Sequence, residues 1–155
     1  MTHSKKVWYA PNRFESYGEE EIKAVEKCLR DGWLAGFGPR SVEFEEKVAK
    51  YFGKKYGVFV NSGSSACLLA LASLDLPKGC KVNLTSYVPD IKDIIALIDD
   101  SVKAIMVPNL IGNKPNWKLL KEELIRLGRE DIFVIEDSAD TMTYTEETDV
   151  ATTSF

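Results

Sequence analysis

The chain holds 155 residues, 45% of them apolar, with 20 Lys and Arg set against 24 Asp and Glu for a formal charge of −4. That length suits one domain with a sizeable core, and an acidic balance without any basic block excludes duplex nucleic acid as a natural partner. No apolar run approaches the roughly 18–20 residues of a helical membrane span.

The opening "MTHSKKVWYA" lacks the apolar centre of a signal peptide. It carries His3, the sole histidine, at a terminus expected to fray, which excludes a histidine triad or a multi-histidine metal site within this chain. Cys28, Cys67 and Cys80 are scattered without CxxC spacing, which predicts reduced thiols and a cytoplasmic protein.

The elements then alternate. "SYGEEEIKAVEKCLRDG" predicts a helix with Ile22, Val25 and Leu29 on one face, a Ser16–Glu19 capping box, and Gly32 as its stop. After the loop "GFGPR", the segment "SVEFEEKVAKYFG" spaces Phe44, Val48 and Phe52 four apart and ends at Gly53. A buried strand is expected at 57–60 and a helix at 64–74. "PDIKDIIALIDD" places Ile91, Ile94, Ile95 and Ile98 as an amphipathic helix behind Pro89. "KAIMVP" reads as a short buried strand ended by Pro108, "NWKLLKEELIRLG" as a helix with Trp117, Leu120, Leu124 and Leu127 on one face, and "IFVIED" as another buried strand. Continuous apolar strands separated by amphipathic helices predict an α/β fold, a mainly parallel sheet with helices on both faces. No repeat or linker splits the chain, so residues 1–155 are read as one α/β domain.

Sheets of this kind bind ligands at the carboxyl ends of their strands. Three polar clusters fall there: "NSGSS", "PNLIGN" and "EDSAD". "NSGSS" serves equally as a plain strand-to-helix turn with a serine cap or as an anion site. In the second reading the first N–H groups of the helix and its positive end hold the anion. Gly63 then admits the ligand to the backbone, and Ser64 and Ser65 add hydroxyls. The cluster has neither the lysine of a P-loop nor a GxGxxG fingerprint, so a phosphate outside a nucleoside triphosphate fits better. "EDSAD" serves either as acids solvating a strand end or as a binding group. Asp137 follows Phe133, Val134 and Ile135, so it is expected to be partly buried, and a buried carboxylate stays ionised only beside a cation or several donors. No Lys or Arg is adjacent in sequence, which leaves a ligand cation such as a protonated pyridine nitrogen; at about 4 Å the attraction is on the order of 4 kcal/mol before desolvation.

"NSGSSACLLAL", "KAIMVPNLIGN" and "VIEDSADT", in that order, resemble the pyridoxal-phosphate-dependent nucleotide-sugar aminotransferase family. "GWLAGFGPRSVEFEEKVAKYFG" is similar to the family's amino-terminal signature, so the likeness runs through nearly the whole chain. The resemblance implies the large domain of the fold type I aminotransferase architecture and pyridoxal 5'-phosphate or pyridoxamine 5'-phosphate as cofactor. It also implies a nucleotide-linked keto-sugar as substrate and a homo-oligomer with active sites at its interface. Carried over by position, it implies that Gly63, Ser64 and Ser65 form the phosphate turn and that Ser154 in "ATTSF" also reaches the phosphate. Asp137 then pairs with the pyridine nitrogen, and Asp140 lies close to the ring. "NSGSSA" together with Asp140 resembles the sugar 3-dehydrase branch somewhat more than the ordinary transaminases, which often carry Gln or His at that position. The main reading is an aminotransferase acting on a keto-deoxyhexose, with the pyridoxamine-phosphate-dependent 3-dehydrase and a catalytically silent binding or oligomerisation module as alternatives.

Two departures qualify the likeness. The family's catalytic Lys or His falls a few residues beyond the serine–aromatic pair, and the sequence ends at Phe155. No catalytic residue is therefore assigned, the carboxy-terminal small domain is expected to be absent, and the fragment is expected to be inactive by itself. "LPKGCKVNLTSYVPD" is also shorter than its counterpart, which normally places a strand, an aromatic-bearing loop, a helix and another strand between Gly79 and Val82. An incomplete large domain is expected, with sheet edge and core surface exposed.

Overall fold

The structure is a computed structural model that describes residues 17–34, 36–84, 90–142 and 144–155. It divides into two compact units, one running to Val42 and one from Glu43 to Phe155. His3, Ser16 and Pro89, each given a role above, lie outside the described residues.

In the first unit, helix α1 spans Glu19–Asp31. Its N-cap is Gly18 rather than Ser16, and the Gly18 N–H donates to Glu21 Oε2 at 2.7 Å, so the acidic first turn folds back on the helix start. Gly32 ends it in the left-handed region at φ 74°, as the sequence predicts. Pairs four residues apart, Arg30 with Glu26 and Lys27 with Asp31, line its surface. The expected apolar face is not buried: Ile22, Val25 and Leu29 are all exposed, and α1 has no buried residue.

Helix α2 spans Pro39–Tyr51, with the boundary between the units inside it. Ala49 and Phe52 are buried, Phe44 and Val48 half-buried, and the left-handed Gly53 stops it. The strand expected at 57–60 does not form. Gly57 presses so closely on α2 that a Cβ there would sit 2.4 Å from the Glu45 carbonyl oxygen. The Phe59 N–H then donates to Glu45 Oε1 at 2.7 Å, so this segment spends backbone on a helix side chain instead of a ladder. Val58 and Phe59 are correspondingly exposed.

Helix α3, Gly63–Ser73, precedes a four-stranded sheet. Strands β1 (Lys81–Leu84), β2 (Val102–Pro108), β3 (Phe133–Asp137) and β4 (Val150–Thr152) pair in sequence order, every pair parallel. β1 and β4 were not foreseen. The crossover helices are α4 (Ile91–Ala96) between β1 and β2 and α5 (Trp117–Arg126) between β2 and β3. Crossovers of one hand that advance in one direction put both helices on the same face. On that face Ile94, Leu120 and Leu124 pack with Ile105, Val107 and Val134. On the other, Ala70 of α3 packs with Ala104, Met106 and Ile135. The fold is thus the expected α/β arrangement, a parallel sheet covered by helices on both faces.

Alternation along β3 sends its two acids to opposite faces of the sheet. Val134 and Ile135 face opposite layers, so Glu136 falls on the α4/α5 side and Asp137 on the α3 side. Burial should decide stability here. Leu120→Ala, at a position with no exposure, is expected to lower the unfolding free energy by about 2–5 kcal/mol. Leu29→Ala, on the exposed face of α1, is expected to change it by at most about 0.5 kcal/mol. Urea unfolding monitored by circular dichroism measures both.

Candidate functional site

The start of α3 is built by Ser62. Its hydroxyl oxygen accepts the Ser65 N–H at 3.2 Å, and its carbonyl accepts the Ala66 N–H at 3.0 Å. The Ser62 and Ser65 hydroxyls also meet at 3.1 Å. The serine-cap reading of "NSGSS" is therefore correct in part, and the cap leaves the Gly63 and Ser64 N–H groups without a partner among the described residues. These two donors sit at the positive end of an 11-residue helix, where an anion is favoured.

Ser154 lies directly opposite. A Cβ on Gly63 would meet Ser154 Cβ at 3.4 Å and Oγ at 3.6 Å, ordinary contact distances that place the helix start beside the chain leaving β4. Gly63, Thr152 and Ser154 also line a cleft of roughly 450 Å³ that continues along α2 and residues 56–60. Phe44 packs edge-on against Phe59 and Phe155 inside it, with centroids 5.3 and 5.2 Å apart.

Asp137 ends β3 opposite Thr152 of β4. Its Oδ1 accepts the Thr152 hydroxyl at 3.1 Å and the Ala139 N–H at 3.2 Å, while Oδ2 has no donor among the described residues. Thr152 in turn contacts Cys67 Sγ on α3 at 3.5 Å. Burial pushes the Cys67 thiol up, and the Asp137 charge adds to this against the Thr152 hydroxyl. Cys67 therefore stays a thiol and donates to Thr152, which donates to Asp137. All three cysteines are free.

Asp140 is exposed and accepts the Ile111 N–H at 3.3 Å, where Ile111 adopts a left-handed φ of 53°. It thereby ties "EDSAD" to "PNLIGN". The structure thus joins Gly63 to Ser154 and Asp137 to β4, leaves Ser64 exposed and Ser65 half-buried beside the cap, and sets Asp140 against a turn. Among the described residues, no group of three or more His, Cys, Asp or Glu could hold a metal ion, and no helix is long and apolar enough to cross a membrane.

Residues 15–87 match the model of the DegT/DnrJ/EryC1/StrS aminotransferase family. A GDP-4-keto-6-deoxy-D-mannose 3-dehydratase of Escherichia coli O55:H7 is 29% identical over 85% of this chain and 41% of its own length. The E coli enzyme of that name, solved with bound hydrated PLP, superposes with a TM-score of 0.68 at 28% identity, covering 84% of this chain and 41% of that one. Over residues 15–87 and in its fold, the chain is similar to the DegT/DnrJ/EryC1/StrS aminotransferase family.

A 3-amino-5-hydroxybenzoic acid synthase shares the fold of this chain at a TM-score of 0.75 and 19% identity, over 90% of this chain and 44% of that one. The chain spans about two fifths of the length of the relatives it matches. Sequence reading missed three polar residues of this chain. Thr152 orients Asp137, and Asn109 binds Glu136. Glu136, expected to be one of two acids solvating a strand end, has no exposed surface at all. The alternation of "IFVIED" was the available signal: consecutive acids on a strand covered on both faces must enter opposite layers.

Removing the Thr152 hydroxyl isolates its contribution. Thr152→Val is expected to cost about 1–2 kcal/mol, as a hydrogen bond to a charged acceptor is lost. Thr152→Ser is expected to retain most of that stability. Paired urea titrations of the two variants provide the comparison.

Proposed function

We propose that this chain forms the phosphate- and pyridine-binding part of a pyridoxal or pyridoxamine 5'-phosphate enzyme that modifies a nucleotide-linked keto-deoxyhexose. One observation carries the reading: at one end of the sheet, a helix start with two N–H groups unpartnered among the described residues lies beside Ser154, and β4 connects that serine to a carboxylate with one oxygen unclaimed among them. The residues fit such a cofactor. Gly63 and Ser64 N–H groups would take the phosphate with help from the Ser64, Ser65 and Ser154 hydroxyls. Asp137 Oδ2 would accept from the ring nitrogen and favour its protonated form. Asp140 would stand near the ring while holding the Ile111 turn. When bound, the cofactor supplies an electron sink.

Within this class the dehydratase reading is better supported than transamination, because the relative 29% identical and the solved enzyme 28% identical are both GDP-4-keto-6-deoxy-D-mannose 3-dehydratases. A cytoplasmic setting, with nucleic acid excluded as a partner, belongs to the same proposal.

Ligand titration tests the assignment. Pyridoxamine 5'-phosphate is expected to bind more tightly than inorganic phosphate, and the two to compete. Ser64→Ala and Ser65→Ala should each weaken both ligands by about 0.5–1.5 kcal/mol. Asp137→Asn should spare phosphate and abolish the preference for the pyridine ligand. Equal loss of both ligands in folded Asp137→Asn would assign Asp137 a purely structural role. A wild type that binds phosphate alone would favour a silent binding module.

Self-association is also proposed, supported by the exposed Ile22, Val25 and Leu29 of α1. Light scattering at tens of micromolar is expected to give a mass above that of one chain. A monodisperse monomer would contradict it.

A further inference from the structure

We propose that Glu136 is a positioning residue for Asp137, holding from the opposite face of β3 the peptide unit that presents it. The inference rests on Asp137 being the ring-nitrogen partner. Glu136 is fully buried on the α4/α5 side. Its Oε2 accepts from Asn109 Nδ2 at 2.8 Å, Thr145 Oγ1 at 3.1 Å and Ser138 Oγ at 3.4 Å, and its Oε1 from Thr148 Oγ1 at 2.9 Å. Among the described residues, one amide and three hydroxyls thus converge on its two oxygens.

Two of those donors belong to residues whose main chains surround Asp137. The Asn109 N–H donates to the Asp137 carbonyl at 2.7 Å, and the Ser138 N–H donates to the Thr152 carbonyl at 2.7 Å. Both ends of the Asp137–Ser138 peptide are therefore bound, one to the end of β2 and one to β4. Asn109 Nδ2 and Ser138 Oγ meet at 2.7 Å, and Glu136 holds both side chains. The carboxylate consequently sets the plane of the peptide from which Asp137 projects.

Lys54 closes the cluster from α2's end. Its Nζ donates to the Thr145 carbonyl at 2.7 Å, and to the Thr148 carbonyl at 2.5 Å and hydroxyl at 2.9 Å. Thr145 and Thr148 are thereby held with their hydroxyls on Glu136. A glutamine at 136 would set an amide donor where only acceptors fit, and on the Oε1 side it would face a Thr148 hydroxyl already receiving Lys54.

Amide hydrogen exchange and ligand titration of Glu136→Gln in the full chain test the role. The Asn109 and Ser138 amides are expected to lose at least tenfold protection, with Ile105 and Val134 unchanged. Discrimination of pyridoxamine 5'-phosphate over inorganic phosphate is expected to fall about tenfold, with phosphate affinity retained. Should Glu136→Gln not fold, Thr145→Val removes one donor and is expected to shift the same two amides by a few-fold. Retained protection at Asn109 and Ser138 in a folded variant would overturn the inference, as would an equal loss at every amide. If wild type shows no preference for the pyridine ligand, the cofactor reading falls, and the two amides still decide whether Glu136 holds the peptide.

Discussion

One alignment places the strand-end groups of the site: the parallel register in which Pro108, Asp137 and Thr152 stand side by side at the ends of β2, β3 and β4. Parallel strands in register finish together, so the loops that leave them meet at one edge of the sheet. Slipping β3 by one residue would exchange the environments of Glu136 and Asp137. The fully buried apolar side chains of β2 and β3, among them Ala104, Ile105, Val107 and Ile135, oppose that slip from both layers.

The two acids show how unequal neighbours on a strand can be. Asp137 is half-buried with an oxygen to spare, whereas Glu136 is sealed and surrounded by amide and hydroxyl donors. Burying a carboxylate is costly unless its lone pairs are satisfied and a cation stands near. Lys54 provides the cation: burial lowers its pKa, and the charges of Glu136 and Asp149 work against that shift. Thr145 and Thr148, in the segment "TYTEETDV", wholly polar up to Val150 apart from Tyr144, thus act as interior donors.

Helices were the most legible part of the chain, because spacing such as Trp117, Leu120 and Leu124 carries its own evidence of a buried face. The same logic overreached at α1, where Ile22, Val25 and Leu29 show the spacing without the burial. Periodicity reports a side-chain pattern, and burial needs a second surface. Strands were legible only when long and apolar, as β2 and β3 are. Residues 57–60 have the composition of a strand but bond to Glu45, while the three-residue β4 is a strand solely because β3 lies beside it. Strand character belongs to a pair of segments, and a single segment cannot declare it. Asp137's partial burial was readable from its apolar neighbours. The approach of Gly63 to Ser154 was implied only by family resemblance, since nothing local to either residue encodes it.

The clasp made by Lys54 also bears on the order in which the chain can fold. Each strand of the sheet pairs with the next one along the sequence, so the sheet can grow by successive short crossovers. Lys54 instead reaches residues 91 and 94 positions away, and closing so long a loop carries a larger entropy cost than any step within the sheet. The ammonium can find its three oxygens only after the turn beyond β3 has formed. The clasp therefore belongs to the late side of the folding barrier, where weakening it would hasten unfolding far more than it would slow folding.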